Sequence, residues 1–284
     1  MPQSNTQEAI DKLGAESNAA VAAEVEVEGK QLSLADVLSI SQDYINRAYE
    51  QYDVWKTQEP WKEEPYVNTV LWARPDSAWQ LLHVVPEEEP FGYIVKSHSA
   101  VETFDIVLRG TRNASEWWTD GEVEQTDSPI GLVHKGFYDI AAQLADDIGK
   151  FFITFPIAER PVLQIHGHSL GGGVGYILSS LLALQGWRVV AILWAAPRAL
   201  SVEAAKVHAR LVPDTLRLVN SEDIVPTGPL PVMGKVVYSH VGTVVLFTLN
   251  TGTLSGNHSM NTYGIGVGTD QGRQAIKEAK DGTS

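Results

Sequence analysis

The segment Gly167-His168-Ser169-Leu170-Gly171 has the form G-x-S-x-G. A serine hydroxyl is a weak nucleophile until a neighbouring base takes its proton. The surroundings give the motif its meaning. A β-rich run, residues 162–165, comes directly before it, and a long apolar run, residues 170–184, comes directly after. A strand that turns at once into a helix holds the serine in a strained conformation, so the flanking side chains must be nearly absent. Gly167 and Gly171 meet that need, and Gly172 and Gly173 let the helix approach the sheet. Ser169 is then expected to project its hydroxyl at a helix N-terminus, whose dipole favours developing negative charge. The bland alternative is a glycine-rich helix start capped by a serine.

An activated serine needs a base and an acid to orient that base. On a strand–turn–helix of this kind the chain order is serine, acid, histidine. Of the eight histidines, only His208, His240 and His258 follow Ser169. The only acid between Ser169 and His208 is Glu203, in the same expected helix as His208, which is no place for a triad loop. His240 opens an apolar run expected to be a strand, where a packed structural histidine is the simpler reading. His258 lies in the loop Gly256-Asn257-His258-Ser259 and is preferred, because catalytic residues concentrate on loops held by a rigid sheet. The acid candidates are Asp214, Glu222 and Asp223. Residues just after the expected strand 216–219 lie where α/β sheets place their ligands, which favours Glu222 or Asp223 over Asp214. Asp223 precedes the apolar Ile224-Val225-Pro226 and is expected to be held against it, with Glu222 facing water.

These residues need a large scaffold, and the chain can supply one. It has 284 residues, 44% of them hydrophobic and 20% charged, enough for a sizeable core. With no cysteine it has no disulfide, no thiolate zinc site and no cysteine nucleophile. His166 and His168 lie two apart with no further ligand in evidence, so neither metal nor cofactor is expected. The net charge of −14 opposes nucleic-acid binding. That charge is uneven: residues 1–130 hold 24 acids and 9 bases, and residues 131–284 hold 11 and 12. The N-terminus shows no basic region followed by an apolar stretch, so no leader is expected; a soluble protein is, with export or cytoplasmic residence left open. The longest apolar helix, residues 170–184, is too short and too glycine-rich for a membrane span.

Along the chain, residues 1–23 read as a frayed tail or loose helix. Val25 and Val27 mark a short strand. A capping box at Ser33-Leu34-Ala35-Asp36 opens a helix reaching about Trp55, with Val37, Leu38, Ile45, Tyr49 and Tyr52 on its apolar stripe. Residues 56–65 read as a loop, and 67–73, 79–85 and 91–95 as strands. From 104 onward strands alternate with helices: strands at 104–108, 162–165, 189–194 and 216–219, helices at 137–152, 170–184 and 202–210, a β-rich 236–249, and a final helix at 271–280. That alternation predicts an α/β fold with a mostly parallel central sheet and helices on both faces. Residues 1–90 are expected to be an N-terminal elaboration packed on the core of residues 91–284, in one domain. Gly264-Ile265-Gly266-Val267-Gly268 follows no clear strand and opens no clear helix, so it is not read as a nucleotide loop.

In order, the chain also carries Leu108-Arg109-Gly110-Thr111, Trp118-Thr119-Asp120, Val133-His134-Lys135-Gly136-Phe137, Ala196-Pro197-Arg198, Asn220-Ser221-Glu222-Asp223-Ile224-Val225-Pro226 and His240-Val241-Gly242. With the serine motif, these blocks resemble the fungal-type, class 3 lipases over about residues 91–263. The resemblance implies an α/β-hydrolase fold and hydrolysis of lipid carboxylic esters through an acyl-enzyme. It supports Asp223 as the acid, makes His240 structural, and implies an oxyanion hole from Thr111 and Leu170. The residue pattern agrees: Leu170 follows the nucleophile, and Gly110-Thr111 ends an earlier strand. Leu108 and Ala195-Ala196 depart from the residues frequent in that family, away from the chemistry.

In the resembled family a lid helix follows the oxyanion residue, here residues 112–118. Trp117 and Trp118 are candidates for an apolar lid or acyl pocket, with core anchoring as the alternative. Residues 113–127 hold five acids and no base, which opposes anionic membranes and favours neutral esters. A transient contact with a lipid interface is expected. The rival readings are a carboxylesterase or feruloyl-type esterase on short or aromatic acyl groups, and a silent lipid- or protein-binding module.

Overall fold

In the computed structural model, which describes residues 26–27, 30–31, 33–57, 79–85, 90–97, 103–111, 124–154, 161–233 and 236–281, the apolar run after residue 102 forms a fully buried strand, Thr103–Leu108. In chain order the strands are β1 (Glu26–Val27), β2 (Lys30–Gln31), β3 (Trp79–Val85), β4 (Gly92–Ser97), β5 (Thr103–Leu108), β6 (Gln125–Ser128) and β7 (Gly131–His134). They continue with β8 (Val162–His168), β9 (Arg188–Trp194), β10 (Thr215–Asn220), β11 (Val232–Met233), β12 (Val236–Val237) and β13 (Thr243–Phe247). The helices are α1 (Leu34–Thr57), α2 (Lys135–Thr154), α3 (Leu170–Leu184), α4 (Val202–Leu211), α5 (Leu254–Asn257), α6 (Met260–Val267) and α7 (Asp270–Asp281).

The main sheet has the order β13-β10-β9-β8-β5-β4-β3. The strands from β5 to β13 pair in parallel, and β3, β4 and β5 pair antiparallel. Alternation along each strand feeds two cores. On one face Phe104, Ile106, Leu108, Ile165 and Leu193 pack with α2, α3 and α4. On the other Val107, Ile192, Trp194, Leu218 and Phe247 pack with α1, α6 and α7. A mostly parallel sheet covered on both faces is the expected α/β architecture.

Helix α1 begins where the capping box predicts. Ser33 N–H donates to Asp36 Oδ2 at 2.9 Å, and Asp36 N–H donates back to Ser33 Oγ at 3.2 Å. The helix runs two residues past Trp55, and its Leu38, Tyr44, Ile45 and Ala48 are buried on the sheet. The elements around the serine motif match expectation to within three residues.

Three features differ. The run 236–249 is not one strand: His240 lies outside β13, after a single bridge between Leu200 and Ser239. The β6–β7 hairpin was not foreseen, because its half-exposed residues carry no apolar alternation. The 264–268 glycine segment is part of α6 and the turn after it, where Gly266 packs on the Phe247 ring. The expected tail at 1–23 and strand at 67–73 lie outside the described residues, as does most of the expected loop at 56–65.

Candidate active site

Ser169 sits between β8 and α3 with φ 57° and ψ −124°, in the left-handed region that costs a non-glycine residue energy. The neighbouring chain over-determines that conformation. Ser169 N–H donates to Trp194 O at 3.0 Å, and its carbonyl accepts from Gly172 and Gly173 N–H at 2.9 and 3.1 Å. A Cβ on Gly167 would lie 2.4 Å from Gly171 O, so the turn closes only over glycine.

A histidine from near the other end of the chain reaches this serine. His258 Nε2 is 2.8 Å from Ser169 Oγ, and His258 Nδ1 is 2.7 Å from Asp223 Oδ2. With Nδ1–H donating to the carboxylate, Nε2 is left as the acceptor for the serine hydroxyl. Asp223 Oδ1 accepts Val225 N–H at 3.0 Å, and Oδ2 also accepts Tyr263 O–H at 2.8 Å. Burial first, then the Asp223 charge, hold the Tyr263 hydroxyl well above its ordinary value, so it remains a donor. Ser169 and Asp223 are each 2% exposed and His258 is 8% exposed, so the hydrogen bonds are shielded from water.

Asn220 and Asn257 join the acid turn to the histidine loop. Asn220 Nδ2 donates to Leu249 O and Asn257 O, and its Oδ1 accepts from Glu222 and Leu249 N–H. Asn257 Nδ2 donates to Glu222 O, and its Oδ1 accepts from Thr251 N–H and Oγ–H. Sequence reasoning missed both asparagines and Tyr263. The Asn220-to-Pro226 block held a signal for the first; Tyr263 looked like an ordinary apolar position.

The rejected candidates have other partners. Glu222 Oε2 accepts from Asn250 Nδ2 at the surface. Asp214 precedes β10. His208 is enclosed by the Ser180 and Thr215 hydroxyls and the Tyr176 carbonyl. His240 Nε2–H donates to Pro226 O at 2.7 Å, steadying the turn after Asp223 from behind. A second serine–histidine–aspartate set lies inside the fold: His166 reaches Asp105 Oδ1 at 2.8 Å and Ser41 Oγ at 2.9 Å. Trp194 Nε1–H donates to that same Ser41 Oγ, and Ser41 is 0% exposed, so the set is sealed from any substrate.

The strand end that leads into Gly110 and Thr111 abuts Ser169. A Cβ on Gly110 would fall 2.7 Å from Ser169 Cβ. Leu170 opens α3, so its N–H is among the helix donors without an intrahelical partner. Gly110, which precedes Thr111, and Leu170, which follows Ser169, thus both adjoin the serine. Trp117 and Trp118 lie outside the described residues. Among the described residues no group of three or more His, Asp or Glu has metal-site spacing, and no helix is long and apolar enough to cross a membrane.

The family model for class 3 lipases matches residues 106–233. The Caenorhabditis elegans protein named Lipase ZK262.3 is 27% identical over 149 residues, covering 49% of this chain and 41% of that relative. The chain thus spans well under two thirds of the curated relative it matches. Among solved structures, MDLA of Penicillium cyclopium superposes with a TM-score of 0.57 at 20% identity, over 78% of this chain and 83% of that one. The native Rhizomucor miehei lipase propeptide complex superposes with a TM-score of 0.54 at 16% identity, over 90% and 93%. At such identity the superpositions speak for the fold, which is that of the α/β-hydrolases.

Proposed function

We propose that the chain, whose residues 106–233 match the family model for class 3 lipases, is a serine ester hydrolase acting on lipid carboxylic esters. The observation that carries this reading is the unbroken hydrogen-bonded line Ser169–His258–Asp223, at 2.8 and 2.7 Å. Ser169 Oγ attacks the ester carbonyl carbon as His258 Nε2 takes its proton. Asp223, held by Val225 N–H and Tyr263 O–H, fixes the histidine tautomer and stabilises the imidazolium. The Thr111 and Leu170 N–H groups donate to the carbonyl oxygen as it gains charge. His258 returns the proton to the leaving alcohol, and water, activated by the same histidine, releases the acid and restores Ser169.

A lipid rather than a small soluble ester is supported by exposed apolar side chains close in the chain to Asp223 and His258. Ile224, next to Asp223, is 56% exposed, and Leu254, four residues before His258, is 60% exposed. Such a rim meets a lipid phase transiently, and Trp117 and Trp118 would extend it. The N-terminal 1–90 and the core 91–284 form one domain in this reading. Its support is the shared packing of Leu38, Ile45 and Ala48 of α1 with Val107 and Trp194 of the sheet.

The test combines a fluorophosphonate probe with p-nitrophenyl esters from acetate to palmitate, taken below and above their solubility limit. The wild type is expected to be labelled and to prefer long chains once an interface forms. Ser169→Ala is expected to abolish labelling and lower kcat by about 10⁴- to 10⁶-fold. A wild type that resists the probe would be a silent binding module. A preference for short soluble esters would make it a carboxylesterase.

A further inference from the structure

The peptide unit that presents Thr111 N–H is held by side chains the reaction itself does not use. Arg109 Nη1 donates to Gly110 O at 3.0 Å. That carbonyl and the Thr111 N–H belong to one amide, and a hydrogen bond accepted at the oxygen of an amide strengthens its N–H as a donor. The guanidinium cannot drift. Its Nε donates to Pro90 O at 2.8 Å, its Cζ lies 3.6 Å from the centre of the Tyr52 ring, and the residue is 6% exposed. The preceding amide is held as well: Gly110 N–H donates to Tyr49 Oη at 2.9 Å. Gly110 is pinned so closely that a Cβ there would meet Tyr49 Oη at 2.4 Å.

The Tyr49 oxygen accepts a hydrogen bond from Gly110 N–H, and its own O–H donates to His168 Nδ1, 2.8 Å away. His168 Nε2–H then donates to His258 O at 3.0 Å. Burial, and next the neighbouring His258, push His168 well below the ordinary histidine range, which keeps Nδ1 open as the acceptor. One line of hydrogen bonds therefore runs from the strand end before Thr111, through α1 and the residue preceding the nucleophile, to the backbone of the base. Tyr49 and Tyr52 lie three apart on α1, where side chains share a face.

We propose that Arg109 and Tyr49 are positioning residues for the oxyanion hole: Arg109 orients and polarises the Gly110–Thr111 amide, and Tyr49 locks the amide before it and ties it to the histidine loop. This rests on the ester-hydrolase reading of Ser169, and it adds that α1, besides covering the sheet, is part of the catalytic apparatus.

The test uses the full chain as wild type, Tyr49→Phe, Arg109→Lys and Arg109→Met. Each is assayed for kcat and KM on p-nitrophenyl butyrate. Each is also titrated with an alkyl trifluoromethyl ketone, which becomes a tetrahedral oxyanion on Ser169, and with the matching unreactive alkyl ether. The expected result is a fall in kcat of about 10- to 100-fold, somewhat less than the loss of an oxyanion donor outright, with KM within about twofold. Ketone affinity should fall in parallel with kcat while ether affinity holds, and Arg109→Met should lose more than Arg109→Lys. Tyr49→Phe removes one oxygen and carries the test alone if the arginine variants fail to fold. Folded variants that keep their ketone affinity overturn the inference, as do variants that lose ketone and ether equally, since that marks a loosened pocket. A wild type that neither hydrolyses the ester nor binds the ketone overturns the hydrolase reading and this inference with it. An active wild type matched by Tyr49→Phe overturns the inference alone.

Discussion

His258 and His240 flank the same acid turn, and their surroundings give them opposite properties. His258 presents Nε2 to Ser169 and Nδ1 to a carboxylate. His240 spends Nε2–H on Pro226 O, and its Nδ1 is buried with no hydrogen-bond partner in the structure. Burial, then the nearby Arg217 charge, push His240 down to about 3, so it stays neutral at the pH where esters are cleaved. His258→Ala is therefore expected to lower kcat/KM on p-nitrophenyl butyrate by about 10³-fold or more. His240→Gln, whose amide can still donate to Pro226 O, is expected to stay within about tenfold of wild type. The reverse order would show that the base has been misassigned. That His258 rather than His240 would meet Ser169 was legible in the sequence, because one lay in a glycine-bounded loop and the other beside an apolar run. The hydroxyls of Tyr49 and Tyr263 were not. Both occupy apolar positions of helices, and their polar tips meet partners 119 and 40 residues away, a pairing that only the folded sheet creates.

Element junctions set the next level of constraint. Helix α3 begins so close to β5 that a Cβ on Gly171 would lie 2.5 Å from Arg109 O and 2.6 Å from Leu108 O. Those are backbone atoms of the strand end that leads into Gly110 and Thr111, so they cannot yield without moving the oxyanion side of the site. Gly171→Ala is expected to lower the melting temperature by several degrees and activity by at least about tenfold. Among the described residues, a Cβ on Gly149, inside α2, would have only Gln185 Oε1 in reach, at 3.9 Å. Gly149→Ala gains helix propensity without a clash and should raise stability by about 0.5–1 kcal/mol with activity unchanged. Thermal melts and ester assays on the two variants separate a glycine required by packing from one merely tolerated; equal behaviour would remove the close-approach argument. The same physics explains which elements could be read in advance. The parallel strands and α2, α3 and α4 are apolar runs bounded by polar or glycine breaks. The short α5 and α6 mix apolar residues with Gly, Ser, Asn and Thr, whose local preferences oppose helix. They form because side chains cap them, Thr253 Oγ accepting Gly256 N–H and Ser259 Oγ accepting Thr262 N–H.

At the scale of the molecule, both faces of the sheet bury uncharged histidines, and that couples stability to acid. His208 is enclosed between α3, α4 and β10, and burial lowers it to about 4, opposed only in part by the Tyr176 carbonyl. His240 is lowered to about 3, and His168 well below its ordinary value. Each folded-state value lies below the unfolded one near 6.5. Between those limits the unfolded chain holds a proton that the folded chain does not, so unfolding becomes easier as pH falls. The stabilising contribution is complete above about pH 6.5. For His208 it is lost progressively down to about pH 4, on the order of 3 kcal/mol in all. Carboxylates titrate mostly below pH 5, which leaves pH 5–6 as the window where the histidines govern the slope. There each buried neutral histidine should contribute about 1.4 kcal/mol per pH unit. Urea unfolding at pH 7, 6 and 5 should show the wild-type midpoint dropping steeply. His208→Gln, less stable at pH 7, should follow a line shallower by about one proton. Parallel lines would mean that the His208 ring already holds its proton in the folded chain, and the two hydroxyls around it would then have to be accepting from a cation rather than sharing hydrogen bonds with a neutral ring.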